Sequence, residues 1–228
     1  MRDASSVREL VLDSGADLCG IASADSFKEA PAGFHPEDIW REAKSVAVFA
    51  LRMPGNTEDA ENPIPYTLLN GMMAEEADRV SLRVSRKLDR LGVKNVIIPS
   101  DDPYERWNPA EQRGEAILSM RHAGLLAGLG RIGKNGLLIN DRLGSMMQLG
   151  AVLLAAEFTP DTAPAYDVCP EGCSICIDSC PVSALGGNST VQKLCRPLSV
   201  SQNLKGFTVK LCWKCRSLCP SSRGLNNP

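Results

Sequence analysis

The chain has 228 residues, 43% of them apolar, and a formal charge of −2; that suffices for one core, or for a core unit with a small appended module. Lys and Arg are dispersed, unlike the basic footprint of a nucleic-acid binder. The longest apolar stretch, Leu149 to Ala156, is far short of the roughly 20 residues a bilayer requires.

The first residues contain no apolar signal core and no twin-arginine pair. A cytoplasmic setting is expected, with neither membrane nor nucleic acid as partner. Ser5 or Ser6 caps a first helix running to about Ser14, where Gly15 stops it. Ala16 to Ala22 reads as a buried strand containing Cys19, a small core residue in this reading. A loop over residues 26–36 leads to a short helix around Pro36–Lys44. Ser45–Leu51 is then a buried strand by its β-branched and aromatic content. Pro54 to Pro65 reads as a polar loop.

From Leu69 to Leu91 the apolar residues Ala77, Val80, Val84, Leu88 and Leu91 recur at helical spacing, and Gly92 closes the helix. Val93–Ile98 is a strand. Residues 100–113 are polar and irregular. A helix over Glu115–Leu129 precedes a glycine-rich turn, Gly128–Gly136, and Ser145–Ala155 is another apolar strand. Alternating helices and strands predict an α+β fold, an α/β sandwich over residues 1–160. Residues 161–167 read as a linker, and residues 161–228 as a separate cysteine module.

Eight of the nine cysteines fall between Cys169 and Cys219. The first run is Cys169-x3-Cys173-x2-Cys176-x3-Cys180-Pro181. The second is Cys195, then Cys212-x2-Cys215-x3-Cys219-Pro220. Paired Cys-x2-Cys followed by Cys-Pro is the pattern of bacterial two-cluster ferredoxins, in which the last cysteine of each run serves the other cluster. Crossed ligation therefore predicts one [4Fe–4S] cluster on Cys169, Cys173, Cys176 and Cys219, and a second on Cys180, Cys195, Cys212 and Cys215. Tetrahedral zinc is the rival metal, and a disulfide scaffold the metal-free alternative. The first spacing, three residues instead of two, departs from the ferredoxin pattern and is expected to be absorbed in a turn at Gly172.

Gly128-Leu-Gly130-Arg-Ile-Gly133 matches the dinucleotide pattern G-x-G-x-x-G. That fingerprint requires a preceding strand and an acid about 20 positions later, and neither is visible. The longer stretch Ala127–Asn140, AGLGRIGKNGLLIN, followed by Gly144-Ser145 and by the cysteine module, resembles the AGLGxxGKN segment of epoxyqueuosine reductases and reductive dehalogenases. The resemblance implies a nitroreductase-like α/β domain holding cobalamin, followed by a two-cluster ferredoxin module that passes electrons to it. It further implies that Gly128, Gly130, Gly133, Lys134, Asn135 and Gly144 line the corrinoid pocket.

Two departures bear on substrate. The aspartate acid of epoxyqueuosine reductases corresponds to Gly114 here, with Glu115 beside it as a replacement or as an ordinary first-turn helix acid. The helical-repeat domain that these enzymes use on tRNA is not expected in this chain. His122, Tyr66 and Tyr104 are further candidates for proton donation. His122 also reads as a locally hydrogen-bonded helix residue, and Trp213 and Lys214 as a shield for a cluster. The expected function is reduction of a small organic substrate by an iron–sulfur oxidoreductase, supplied by a low-potential donor such as ferredoxin or flavodoxin. The alternatives are an electron carrier or reductive activator of a partner protein without a corrinoid, and a flavin-dependent reductase.

Overall fold

The computed structural model describes residues 3–103, 106–110, 113–186 and 189–225. In chain order the elements are α1 (Ser5–Leu12), β1 (Leu18–Ser23), α2 (Pro36–Ile39), β2 (Ser45–Arg52), α3 (Pro63–Arg90), β3 (Asn95–Ile98), β4 (Arg106–Asn108), β5 (Arg113–Glu115), α4 (Met120–Leu126), β6 (Arg131–Ile132), β7 (Leu138–Ile139) and β8 (Met147–Leu154). The cysteine-bearing tail adds α5 (Ile175–Asp178), α6 (Gln192–Ser199), β9 (Val200–Gln202), β10 (Thr208–Lys210) and α7 (Lys214–Ser217).

β1, β2, β8 and β3 form one sheet in that order, every neighbouring pair antiparallel. Side chains alternate across a strand, and both faces of this sheet are covered. Ala47, Phe49, Leu51, Val152 and Leu154 meet Val7 and Val11 of α1 and Ala77, Val80, Val84 and Leu88 of α3. Val46, Val48, Ala50, Ala151 and Leu153 meet Ala123 of α4, Leu118 and Leu129 on the other side. The result is a mixed α/β fold of three layers. Each large apolar side chain buried here contributes roughly 1.5–3 kcal/mol. Phe49 also dictates its neighbour. Gly150 pairs with it across the strands, and a Cβ there would lie 2.3 Å from the Phe49 ring.

α3 starts at Pro63, six residues before the start read from apolar spacing. Asn62 caps it by accepting from the Ile64 amide at 2.9 Å, and Pro63 occupies its first turn, where a missing N–H costs nothing. α4 starts at Met120, so Glu115 is not in a helix. It lies in β5, opposite Arg106 of β4.

β1 is an edge strand, and the segment after β8 covers its outer side. Asp161 donates its amide to the Ile21 carbonyl (2.8 Å). Its carboxylate accepts from the Ile21 amide (2.8 Å) and pairs with Arg8 through two contacts of 2.8 and 3.2 Å. Unpaired edge groups are thereby satisfied. Residues 161–167, read as a linker, are fastened along their length. Pro164 O accepts from Arg131 (3.2 Å), and the Tyr166 hydroxyl accepts from the Asp141 amide (3.2 Å). Among the described residues no helix is long and apolar enough to cross a membrane.

Candidate iron–sulfur site

The two cysteine runs share one local backbone geometry. In the first, Ile177 N and Asp178 N donate to Ser174 O (2.8 and 2.9 Å), and Cys180 N donates to Ile177 O (3.2 Å). In the second, Arg216 N and Ser217 N donate to Trp213 O (2.9 and 3.0 Å), and Cys219 N donates to Arg216 O (3.3 Å). Each Cys-x2-Cys-x3-Cys-Pro therefore wraps a single helical turn, α5 or α7, and the two turns pack on each other. The longer first spacing is taken up at Gly172, which adopts φ +70° with open space around it, a conformation that costs glycine little.

This packing carries Cys219 across to the first run. Cys169, Cys173, Cys176 and Cys219 line one cavity, together with Lys134, Asn135, Val168, Pro170 and Pro220. All nine cysteines are free of disulfides. Among the described residues no three His, Cys, Asp or Glu side chains converge as they would on a single ion.

Burial raises the Cys176 and Cys219 thiols, and the other thiols of the ring push in the same direction. Burial likewise pushes Cys215 up to about 11, opposed by Arg216 and reinforced by Cys195, Cys212 and Cys176. These groups favour the protonated form without metal, so cation binding must displace protons. Cys195, from α6, and Cys212 thus lie within electrostatic reach of Cys215. Cys180 is placed by a tight turn in which its sulfur accepts from the Ala184 amide at 3.2 Å. In that turn Ser183 takes φ 48°, the one positive φ among described non-glycine residues.

The second run is joined to α3. Trp213 stacks on Tyr66 (centroids 4.4 Å apart, planes at 15°) and donates its indole N–H to Glu58 O (2.8 Å). Arg216 donates to the Tyr66 hydroxyl at 3.3 Å. Tyr66 is 5% exposed and occupies a joint between two elements instead of an open pocket, which does not suit a proton donor. Arg223 pairs with the buried Glu58, whose second oxygen has no partner among the described residues.

The glycine-rich segment connects α4 to the β6–β7 hairpin, whereas a dinucleotide fingerprint connects a strand to a helix. Its glycines are explained by close packing of the chain on itself. A Cβ would lie 2.7 Å from Thr162 O at Gly128, 2.3 Å from Ile139 O at Gly130, 2.6 Å from the Ile139 side chain at Gly133 and 2.1 Å from Ser222 O at Gly144. Lys134 and Asn135 turn to the cysteine tail. The Lys134 amide points at Cys169 Sγ (3.4 Å), its ammonium donates to Cys173 O (2.7 Å), and Asn135 Nδ2 donates to Cys215 O (3.0 Å).

His122 shares a 2.7 Å hydrogen bond between Nδ1 and Ser119 Oγ, one turn back in the same segment. Burial first, then Arg121, lowers its pKa. Glu115 and Gly114 sit in the β4–β5 hairpin, where the Gly114 amide donates to Gln192 of α6 (3.3 Å). Tyr104 lies outside the described residues. Composition and spacing carry no signal for Arg8, Glu58, Asp161 or Ser222, whose partners lie more than 70 residues away in the chain.

An epoxyqueuosine reductase of Staphylococcus aureus is 37% identical over 93% of this chain. The chain is a homologue of the epoxyqueuosine reductases. It spans 62% of the length of that relative. No family model matches. Among solved structures, the epoxyqueuosine reductase of Streptococcus thermophilus matches all of this chain and 68% of its own, with TM-score 0.65 and 20% identity. The catabolic reductive dehalogenase NpRdhA matches 96% of this chain and 32% of its own, with TM-score 0.73 and 16% identity. At those identities the likeness is one of fold.

Proposed function

We propose that the chain is an iron–sulfur oxidoreductase that holds two [4Fe–4S] clusters and transfers single electrons toward a small organic substrate. One observation carries the reading. Cys219 from the second run joins Cys169, Cys173 and Cys176 around one cavity, with the Lys134 amide directed at Cys169 Sγ. That is the crossing expected of paired clusters, and the donor set fits them: four thiolates, an amide aimed at sulfur and cover by apolar and proline residues. Cys180, Cys195, Cys212 and Cys215 would hold the second cluster, with Trp213 shielding it. When bound, the clusters supply one-electron reducing power at low potential.

The chain's own residues provide insulation and docking. Tyr66, Trp213 and Arg216 fasten the second run to α3, and Lys134 and Asn135 fasten the tail to the β6–β7 turn. The domains at 1–160 and 161–228 are then a nitroreductase-like unit and a ferredoxin-like module working as one body. The last fifty residues contain seven Lys or Arg and no Asp or Glu. An acidic low-potential carrier, of the ferredoxin or flavodoxin kind, is the donor that such a surface would attract.

Cobalamin as the terminal cofactor is inferred from the resemblance. The six residues assigned to it by resemblance do not fit that role as placed. The bare faces of the four glycines are filled by Thr162, Ile139 and Ser222, and Lys134 and Asn135 are bound to the cysteine tail. The same observation, with Gly114 where the acid would stand, favours the second reading, an electron carrier or reductive activator without one.

Anaerobic reconstitution of the full chain, with iron, sulfide, zinc and cobalt analysis and electron paramagnetic resonance, tests the proposal. The expected result is about eight iron and eight sulfide per chain, as two [4Fe–4S] cores. Cobalamin added to that material separates the readings: saturable binding supports the reductase, and no binding supports the carrier. Stoichiometric zinc in place of iron overturns both.

A further inference from the structure

The turn Gly133–Gly136 joins β6 to β7, yet its polar groups serve the cysteine tail. Its hairpin geometry is closed locally by Gly133 N to Leu137 O (2.9 Å) and by Gly136 N to Gly133 O (2.8 Å). Asn135 is 2% exposed and clamps the turn in two directions, through Nδ2 to Cys215 O and through Oδ1 from the Leu137 amide (3.1 Å). This clamp fixes Lys134 over the first ligand ring. Its amide faces Cys169 Sγ, and its ammonium sits 2.7 Å from Cys173 O. Among the described residues no carboxylate meets that ammonium. Among the described residues that ammonium is thus held without a carboxylate partner, in the wall that carries the four cysteines.

Adding an electron to a thiolate-bound cluster adds one negative charge. A fixed cation and an amide directed at sulfur both stabilise the more negative state, which raises the reduction potential. Resting on the iron–sulfur reading above, we propose that Lys134 sets the potential of the cluster held by Cys169, Cys173, Cys176 and Cys219, keeping it easier to reduce than its thiolates alone would make it. Lys134 is a positioning and tuning residue in this role and touches no substrate. The second ligand set is tuned separately. The cation that opposes the rise at Cys215 is Arg216, whose guanidinium donates to Tyr66 Oη and Met53 Sδ. The lysine of the AGLGxxGKN segment is thereby assigned to the electron path instead of to a macrocycle.

The test is a redox titration of anaerobically reconstituted full chain, followed by electron paramagnetic resonance, with iron and sulfide measured on each sample. Lys134→Gln removes the charge and keeps a donor for Cys173 O; Lys134→Arg keeps the charge. In Lys134→Gln one cluster should titrate at lower potential. At its wild-type midpoint the reduced-to-oxidised ratio should fall about tenfold, equivalent to 59 mV for one electron. The other cluster should hold its value, and Lys134→Arg should restore the first. A full iron content with neither cluster shifted, or with both shifted equally, overturns the assignment while leaving the iron–sulfur reading intact. If Lys134→Gln alone loses iron, Lys134→Met decides: a cluster retained there at unchanged potential overturns the assignment in the same way, and one retained at lowered potential supports it. Absence of iron from the wild type would overturn the parent reading itself.

Discussion

The sheet unit and the cysteine tail are built by different physics. In β2 seven of eight residues are buried, and both faces of the sheet are packed with aliphatic side chains. In the tail, α6 and α7 contain no buried residue, and Leu194, Leu198, Leu204, Phe207, Leu211 and Leu218 are all exposed. Burial of apolar surface accounts for the first region and is too sparse for the second. The tail is held by docking bonds and, in this account, by its metal. Ser222 O accepts from the Ser145 and Met146 amides (2.9 and 3.0 Å), and Lys210 N donates to Thr67 Oγ1 (2.9 Å). Metal-binding free energy serves as folding free energy in small sites of this kind.

The contrast can be broken most forcefully by removing iron. Chelation should abolish hydrogen-exchange protection across residues 169–219 while β2 and β8 keep theirs. Uniform loss would mean that the two regions form one cooperative unit. Truncating the sheet unit's central side chain is the complementary change. Phe49→Ala should cost about 3–5 kcal/mol in urea denaturation and leave iron content of the remaining folded protein unaltered. A cost below about 1 kcal/mol would show that the sheet is not where the stability lies.

The smallest effect concerns the lone cysteine in the sheet. Burial first pushes the Cys19 thiol up to about 12, Arg8 opposes this, and Asp161 adds to it. An unfolded cysteine ionises near 8.5, so the unfolded chain loses that proton first as pH rises. The thiol's contribution to stability is complete below about pH 8.5 and declines from there toward 12. Iodoacetamide at pH 8.5 should therefore label Cys19 in urea and spare it in the native protein. Equal labelling rates would contradict the burial.

Much of the sheet is legible in the sequence because its central strands are predominantly apolar runs, Ser45–Leu51 and Ser145–Ala155, bounded by polar or glycine residues. The β4–β5 hairpin is not. Its residues are polar, β4 is exposed throughout, and no burial pattern marks it, which is why Glu115 reads as a helix residue. The start of α3 is hidden by composition: Asn62-Pro63 is a good cap, but it lies in a stretch that otherwise reads as loop. The cysteine spacing groups Cys219 with Cys169, Cys173 and Cys176 before any geometry, and those four line one cavity. The glycine segment behaves differently. Glycine reports a close approach without saying to what, and here the approaching atoms belong to Thr162, Ile139 and Ser222. Long-range pairs such as Arg8 with Asp161 leave no local trace at all.

The exchange of ligands between runs is the claim on which the rest depends. Cysteine-to-serine variants at positions 173, 212 and 219, compared by Mössbauer and electron paramagnetic resonance spectroscopy after anaerobic reconstitution, test it directly. The account predicts that Cys219→Ser perturbs the same cluster as Cys173→Ser and leaves the other intact. If Cys219→Ser instead matches Cys212→Ser, each run keeps its own cluster and the crossed arrangement is wrong.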